Sequence, residues 1–441
     1  MFFSHLTDIA KFLYFWSLDI DKKTENLHKK YGPVVRIAPN ELSFWGPNAV
    51  APIYKSGRGM VKSRFYDGFT TFKPNLFGTT DEERHALRRR QMAHGFSTAS
   101  LTAMEPIFDQ HVKNLRKKLD AYAKTGSEFD LKLLFAFYAY DILGQLAFSV
   151  DFDTQRKDDE TLLPPINGHI LLASLYGSLP SLLPYSMRIA NYLPIPWLRG
   201  LIRNRLKIKE TVTRCVANEI AGKNSDKNQT QTLLSQLIAA KDPETGERLT
   251  TVDISSEAFG FLVAGSHTSS GTLTLLFFHL LHNLDVYRQL RDEVDQKLDF
   301  LQDGSYSFTG LENKLPYTMA CIRENFRLTP VFTMPLTRTV TRDNGFDIDG
   351  NLILKGTDVS VPNYALHHNP EIWGSDHNCF NPNRWLVEGF TKEKLNYLMP
   401  FVLIRCYDLE AVDMDEQLKV VTVGIGEKKG PLRCRVKIRK E

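Results

Sequence analysis

Residues Glu257–Asp285 read EAFGFLVAGSHTSSGTLTLLFFHLLHNLD. No Asp, Glu, Lys or Arg lies between the two acidic ends, so the stretch is marked for burial. It is far too long for a strand and reads as one long helix. Its centre works against that helix: Gly265, Ser266, His267, Thr268, Ser269, Ser270 and Gly271 stand together there. Each glycine costs a helix roughly 1 kcal/mol against alanine. Ser and Thr hydroxyls bond back to the carbonyl four residues earlier and bend the axis. A helix that weakens its own middle either packs closely on a neighbour or opens a groove. Three readings stand at this point: a membrane span, for which about 20 apolar residues suffice; a core helix whose glycines permit close packing; and a helix whose centre borders a ligand. A span would need partners at mid-bilayer for the hydroxyls and His267, and no second stretch of this quality occurs.

The chain has 441 residues with 42% hydrophobic and 24% charged content, a globular composition. The net charge of +4 is too small to argue for nucleic acid as a partner. The 28 Phe and 16 Tyr suit a large core or an apolar pocket. Five scattered cysteines without metal-site spacing imply a reducing compartment and no metal site. Residues 1–20 begin MFFSHLTDIAKFLYFW, apolar but interrupted by His5, Asp8 and Lys11. That is too short to span a bilayer and has no small-residue cleavage site. It reads equally as an amphipathic helix lying on a membrane and as a docked N-terminal helix.

Past a charged helix at 21–31, GPVVRIAPNELSFWG predicts a β-hairpin turning at Ala38-Pro39-Asn40. Residues 46–56 predict a short helix and 57–79 a long aromatic loop of the functional kind. Thr80-Asp81-Glu82-Glu83 reads as a capping box opening a helix with His85 and Arg89 one turn apart. Those two are a solvated basic face or a pair of donors reaching an anionic cofactor. Residues 98–222 predict four or five helices, of which 130–149 is apolar nearly all round and hence core. The apolar 170–198 segment, broken by Pro180, Pro184, Pro194 and Pro196, predicts two helix ends joined by an apolar loop. Residues 222–231 and 242–250 read as polar surface loops. Leu315-Pro316-Tyr317 opens a helix that stops before Pro330, with Glu324 and Arg327 three apart among apolar neighbours. They are an ordinary surface pair or a buried one. Asp349-Gly350 predicts a hairpin turn, with a second strand pair around Lys355-Gly356, and 421–439 predicts a closing hairpin. The expectation is one domain over 21–441, mainly α with small β-sheets near each end.

In order, these signals resemble the cytochrome P-450 family, the heme-thiolate monooxygenases, of the fungal microsomal type. Tyr31-Gly32-Pro33-Val34-Val35-Arg36 looks like its first strand. His85 with Arg89 looks like the segment that holds a heme propionate. Ala264-Gly265 with Thr268 looks like the oxygen-side helix. Leu315-Pro316-Tyr317 leading to Glu324-x-x-Arg327, with Phe380-Asn381-Pro382-Asn383-Arg384-Trp385, is similar to the segments that make a buried Glu–Arg–Arg triad. The resemblance spans residues 31–401. It implies heme as cofactor, with His85, Arg89, Ala264, Gly265 and Arg338 around it, and Thr268 with His267 moving protons to bound dioxygen. It further implies oxidation of a lipophilic small molecule, plausibly in secondary metabolism. Electrons would come from an NADPH-dependent reductase, at a membrane surface on the cytosolic face of the endoplasmic reticulum.

Two departures from the family pattern stand out. His267 occupies the place just before the threonine where the family usually carries an acid. The axial segment Phe-x-x-Gly-x-Arg-x-Cys-x-Gly is absent: the chain reads Phe401-Val-Leu-Ile-Arg405-Cys406-Tyr407, with no glycine between Gly389 and Gly424. Residues 404–409 look like family sequence from beyond the helix that follows the heme loop. The expectation is therefore a fold truncated near the C-terminus by a segment missing after Phe401, with Cys406 an ordinary residue. The thiolate drives O–O cleavage, so the alternative is an inactive, heme-less relative.

Overall fold

The computed structural model describes residues 8–55, 59–182, 185, 192–222, 232–242, 244–298, 310–386, 407–422 and 424–438. Phe401 and Cys406 lie outside the described residues. Ten described helices have eight residues or more: α1 Ile9–Trp16, α2 Ile20–Tyr31, α3 Glu82–Ala93, α4 Glu105–Thr125, α5 Leu131–Phe148, α6 Ile166–Ser178, α7 Pro196–Ile220, α8 Thr251–His282, α9 Leu284–Lys297 and α10 Pro316–Leu328.

The organising stretch is α8. It begins six residues before Glu257, because Thr250 and Asp253 form a reciprocal capping box. Either side of its centre it is buried, over residues 253–259 and 270–281, and it packs against α5, α7 and α10, which makes it a core helix. The helix among the described residues that is long and apolar enough to cross a membrane is Leu131–Phe148, and it too is mostly buried. Along α8 the hydroxyls bond back as the sequence predicts: Ser266 to the Leu262 carbonyl, Thr268 to that of Ala264, Thr272 to that of Thr268 and Thr274 to that of Ser270. Two apolar cores flank the helix. One joins its C-terminal half to α4, α5, α9 and α10; the other joins its N-terminal half to α6, α7 and the aromatic 65–77 segment.

The strands are β1 Val34–Ala38, β2 Glu41–Phe44, β3 Met60–Lys62, β4 Phe129–Asp130, β5 Arg338–Val340, β6 Phe346–Ile348, β7 Asn351–Ile353, β8 Asp358–Ser360, β9 Tyr407–Ala411, β10 Val420–Thr422, β11 Gly426–Lys428 and β12 Arg433–Ile438. One sheet has the order β1-β2-β8-β5-β3 and another β4-β12-β9; β6-β7 and β10-β11 are hairpins. The β6-β7 turn holds Asp349 and Gly350 at φ of 52° and 77°, the two left-handed positions that a type I′ turn needs.

Four local expectations are corrected. The cap of α3 is Asp81, whose carboxylate accepts from the Glu83 and Arg84 N–H groups, and not Thr80. The 57–79 loop contains β3 and a 3₁₀ turn over Arg64–Phe69. The chain turns at Lys355-Gly356 and then leaves its neighbour: β8 pairs with β2 and β5. The 421–439 segment is not one hairpin, since β11 pairs with β10 while β12 joins β9 and β4.

Candidate functional site

Between Leu262 and Ser270 the only fully buried residue of α8 is Ser266, and Ala264 is exposed. A core helix thus opens a groove at its own centre, where the small residues stand. Glu257, Ala264 and Thr268 fall on one stripe, being separated by seven and four residues. The N-terminal end of the groove is roofed by the 70–79 segment. Its Lys73 N–H donates to Ser256 Oγ (3.1 Å) and its Leu76 N–H to Glu257 Oε2 (3.0 Å). Burial pushes Glu257 up to about 7, against the pull of the Leu76 N–H and Arg88. Phe77 packs edge-on against Tyr66, Phe69 and Phe332, and Phe72 against Phe259, so the roof is an aromatic wall.

Beside this roof stands a cluster of cations. Lys62 on β3 is the register partner of Arg338 on β5. Its ammonium donates to the Leu76 and Phe77 carbonyls at 2.8 Å each. Burial, then the nearby Arg338 charge, lowers Lys62 to about 8. Burial and then Lys62 likewise lower His85. Arg338 donates to the Tyr66 hydroxyl at 2.8 Å and lies over the Tyr54 and Tyr66 rings. Among the described residues neither Lys62 nor Arg338 has a carboxylate within ion-pair distance. Glu82 and Glu257 oppose the lowering of Lys62, and Glu82 that of His85, without cancelling it, so this is a wall suited to an anion.

The expected partner Arg89 is exposed. The buried member of that triplet is Arg88, 2.7 Å from Asp253 and 3.9 Å from Glu257, so it ties α3 to α8. Sequence reasoning missed both Arg88 and Lys62. A three-residue strand carries no periodic signal, although a lone Lys inside an otherwise apolar MVK strand was a visible oddity.

His267 and Thr268 do different things. Thr268 keeps to the groove stripe with Ala264, whereas His267 lines a cavity of about 250 Å3 with Ser270, Gly271, Thr274 and Glu427. Neither His85 nor Arg89 lines that cavity, and nor do Ala264 and Thr268. Gly265 turns toward α5: a Cβ there would stand 2.6 Å from Leu143 Cδ1.

The third constellation supports α10. Glu324 accepts from Arg327 Nε (2.9 Å) and Nη2 (2.8 Å), Arg384 Nε (3.0 Å), the Asn381 N–H (3.0 Å) and Trp385 Nε1 (2.8 Å). Burial alone would raise this carboxyl, but the bonds led by Arg327 hold it below its usual value. Arg327 spends its remaining donors on the His367, His377 and Cys379 carbonyls. Asn381 and Trp385 are donors that spacing alone did not disclose. The N-terminus of α10 is capped from α9, where Glu293 accepts from the Tyr317 and Thr318 N–H groups.

Fold and groove together define a mainly helical protein whose longest helix crosses a groove with a cationic wall. The chain belongs to the cytochrome P-450 family: the family model matches residues 9–402. It is 29% identical to the benzoate 4-monooxygenase of Aspergillus niger, over 90% of this chain and 82% of that protein. It is 30% identical to the cytochrome P-450 monooxygenase gsfF of Penicillium aethiopicum (83% and 74%) and 27% identical to the pisatin demethylase of Fusarium vanettenii (82% and 69%). A crystal structure of a cytochrome P-450 superposes with a TM-score of 0.77, covering 95% of this chain and 98% of that one at 19% identity.

Proposed function

We propose that the groove of α8 is a heme site and that the protein is of monooxygenase type, acting on a lipophilic small molecule. The observation that carries this is the cluster of Lys62, His85 and Arg338, in which cations outweigh the nearby Glu82 and Glu257, beside a helix centre where Ala264 is exposed. Heme carries two propionates, so it supplies the missing anionic charge. Lys62, His85 and Arg338 are the residues that hold those propionates, with Arg89 one turn beyond His85. Ala264 presents no more than a methyl group to the groove, so a flat ring approaches the helix closely. When bound, heme supplies the dioxygen chemistry of this family. The Thr268 hydroxyl supplies a proton at Oγ1, and the aromatic roof excludes water and favours an apolar substrate. The Glu324–Arg327–Arg384 cluster fixes α10. The names of the relatives favour an aromatic substrate, and oxidation in secondary metabolism follows from the breadth of the family.

The same reading places the protein on a membrane, at the cytosolic face of the endoplasmic reticulum, with an NADPH-dependent reductase as electron donor. Its support is an exposed apolar face. Helix α1 buries Lys11, paired with Glu41, and Phe15, yet exposes Ile9, Leu13 and Trp16. The Trp16 ring lies 4.5 Å from that of Trp197, and Leu182, Tyr185 and Tyr192 are exposed as well. Tyr and Trp are the side chains favoured at a bilayer interface.

A second reading has its own observation. The pattern carrying the axial cysteine is absent from the sequence, and the family match stops at residue 402, one past Phe401. On that reading the chain as written binds heme weakly and without thiolate. The test is to express residues 1–441, add heme, reduce, add carbon monoxide and record the Soret band. No thiolate-type band from this chain, with a band from a version carrying the missing segment, is the expected result. A thiolate-type band from the chain itself that vanishes in Cys406→Ala overturns it.

A further inference from the structure

The cavity of about 250 Å3 that His267 lines is a site apart from the α8 groove, since neither Ala264 nor Thr268 belongs to its wall. Its mouth is at Glu160 and Gly430, which are both exposed. Leu133, Ala136 and Leu163 give it an apolar side; α8 residues 267–274 and Glu427 of β11 give it a polar one. A cavity of about 150 Å3 is enough for benzene, so this one has room for a small organic molecule. A void left by packing alone is apolar and dry. This wall carries unspent polar groups, and they are of one kind. Ser270 Oγ donates to the His267 carbonyl (3.1 Å) and Thr274 Oγ1 to the Ser270 carbonyl (2.8 Å). Lys132 Nζ donates to the Lys428 carbonyl (2.8 Å), and Lys428 Nζ to Glu416 Oε1 and the Pro431 carbonyl. These donors are engaged within the protein, whereas several acceptors are not. His267 Nε2 is buried without a hydrogen-bond partner. Glu427 Oε2 lies 3.4 Å from it, outside hydrogen-bond geometry. The Glu160 carboxylate has no partner among the described residues. Burial lowers His267 from its ordinary 6.5, Glu427 opposes that and Lys132 adds to it, so the ring is neutral and one of its nitrogens accepts.

We infer that this cavity binds a small organic amine, a primary ammonium on an apolar body. The ammonium lies between Glu427 and His267 Nε2, with the ring proton on Nδ1. Glu160 stands at the mouth as a second counter-charge, and the apolar body lies along Leu133, Ala136 and Leu163. Unspent acceptors call for a donor, and a charged donor makes the stronger bonds. Three carboxylates and two ammonium groups line the cavity. Of these, Asp130 is spent on the Lys132 and Leu432 N–H groups, and Lys428 has its counter-charge in Glu416, outside the wall. The balance left to a ligand is therefore acidic. An anion would face Glu160 and Glu427 with no free donor to meet it. A hydrocarbon would leave the imidazole nitrogen and the carboxylate buried and unpaired. Lys132 Nζ stands 3.5 Å from Glu427 Oε2 and shares that carboxylate, which limits how tightly the amine is held. Nothing in this site involves heme.

The test uses the full chain without added heme and three probes of one shape: 2-phenylethylamine, 2-phenylethanol and phenylacetate, each titrated by calorimetry. The amine is expected to bind about tenfold tighter than either of the others. Glu427→Gln is expected to remove that preference, and Lys132→Met, which leaves Glu427 to the ligand, to increase it. Glu160→Gln changes an exposed residue at the mouth and is expected to weaken the amine severalfold; it decides if Glu427→Gln does not fold. With isotope-labelled histidine, the NMR signal that is lost in His267→Gln is expected to shift when the amine is added. Equal affinity for the three probes, binding of none, or a preference for phenylacetate overturns the inference. An amine preference that survives both Glu427→Gln and Glu160→Gln, or that leaves the His267 signal in place, overturns it as well, because the amine then sits elsewhere.

Discussion

Glu324 accepts five hydrogen bonds from two stretches of chain, Arg327 on its own helix and the 381–385 segment. A carboxylate so placed is stable in the interior only because both guanidinium forks are there to meet it. Replacing Glu324 by Gln leaves the buried Arg327 without its counter-charge, while Arg384 keeps Asp376 at 2.8 Å, and chemical denaturation is expected to show a loss on the order of 3–5 kcal/mol. The pH dependence follows from the sign of its shift. The folded carboxyl lies below its ordinary 4.5, so its contribution is complete above that value and is lost as pH falls through the folded one. Glu324→Gln should therefore lower stability at neutral pH and flatten the acid limb of the curve; an unchanged acid limb contradicts this account. The pairing of Glu324 with Arg327 was legible because three residues on a helix make neighbours among apolar flanks. Arg384 needed the family resemblance. Arg88 against Arg89 was not legible, since adjacent helix positions differ by about 100° and both are arginine. His267 was read together with Thr268 for the same reason.

Elements in this protein meet where glycine removes a side chain. The 3₁₀ turn at Arg64–Phe69 lies against α6 through two such points. A Cβ on Gly68 would stand 2.3 Å from the Ala173 carbonyl oxygen, and one on Gly177 2.3 Å from that of Phe65. Both obstacles are backbone and cannot turn aside. Gly177→Ala is expected to destabilise by about 1–3 kcal/mol in a denaturant melt. Gly265→Ala meets the movable tip of Leu143 and gains helix propensity, so it should cost less. Equal stability of the two variants would refute this account of the contact. The same scale shows what local pattern reading can reach. The helices, the β1-β2 hairpin and the Asp349-Gly350 turn were legible, because period and turn chemistry are local. The partners of β8 and β12 were not, since a strand's alternation names its buried face but not the distant strand beside it. The 57–79 segment hid a strand and a turn because its aromatics face inward without any period.

For the whole molecule, Ile9, Leu13 and Trp16 of α1 are exposed and Trp16 meets exposed Trp197 of α7. The double variant Trp16→Ser, Trp197→Ser is expected to co-sediment severalfold less with phospholipid vesicles while keeping its melting temperature, as both rings are partly exposed already. Vesicle binding equal to that of the parent would remove the membrane reading. A last consequence comes from the mixed sheet. Strand β2 lies between β1, a few residues away, and β8, with Glu41 opposite Asp358. More than 300 residues separate those two, and β3 waits somewhat less long for β5. During synthesis at about 5–20 residues per second, the first hairpin therefore spends some fifteen seconds to a minute with an open edge before its partner leaves the ribosome. Contacts this distant also place the fold among the slow ones. The early chain is thus a substrate for chaperones well before it is a receptor for any cofactor.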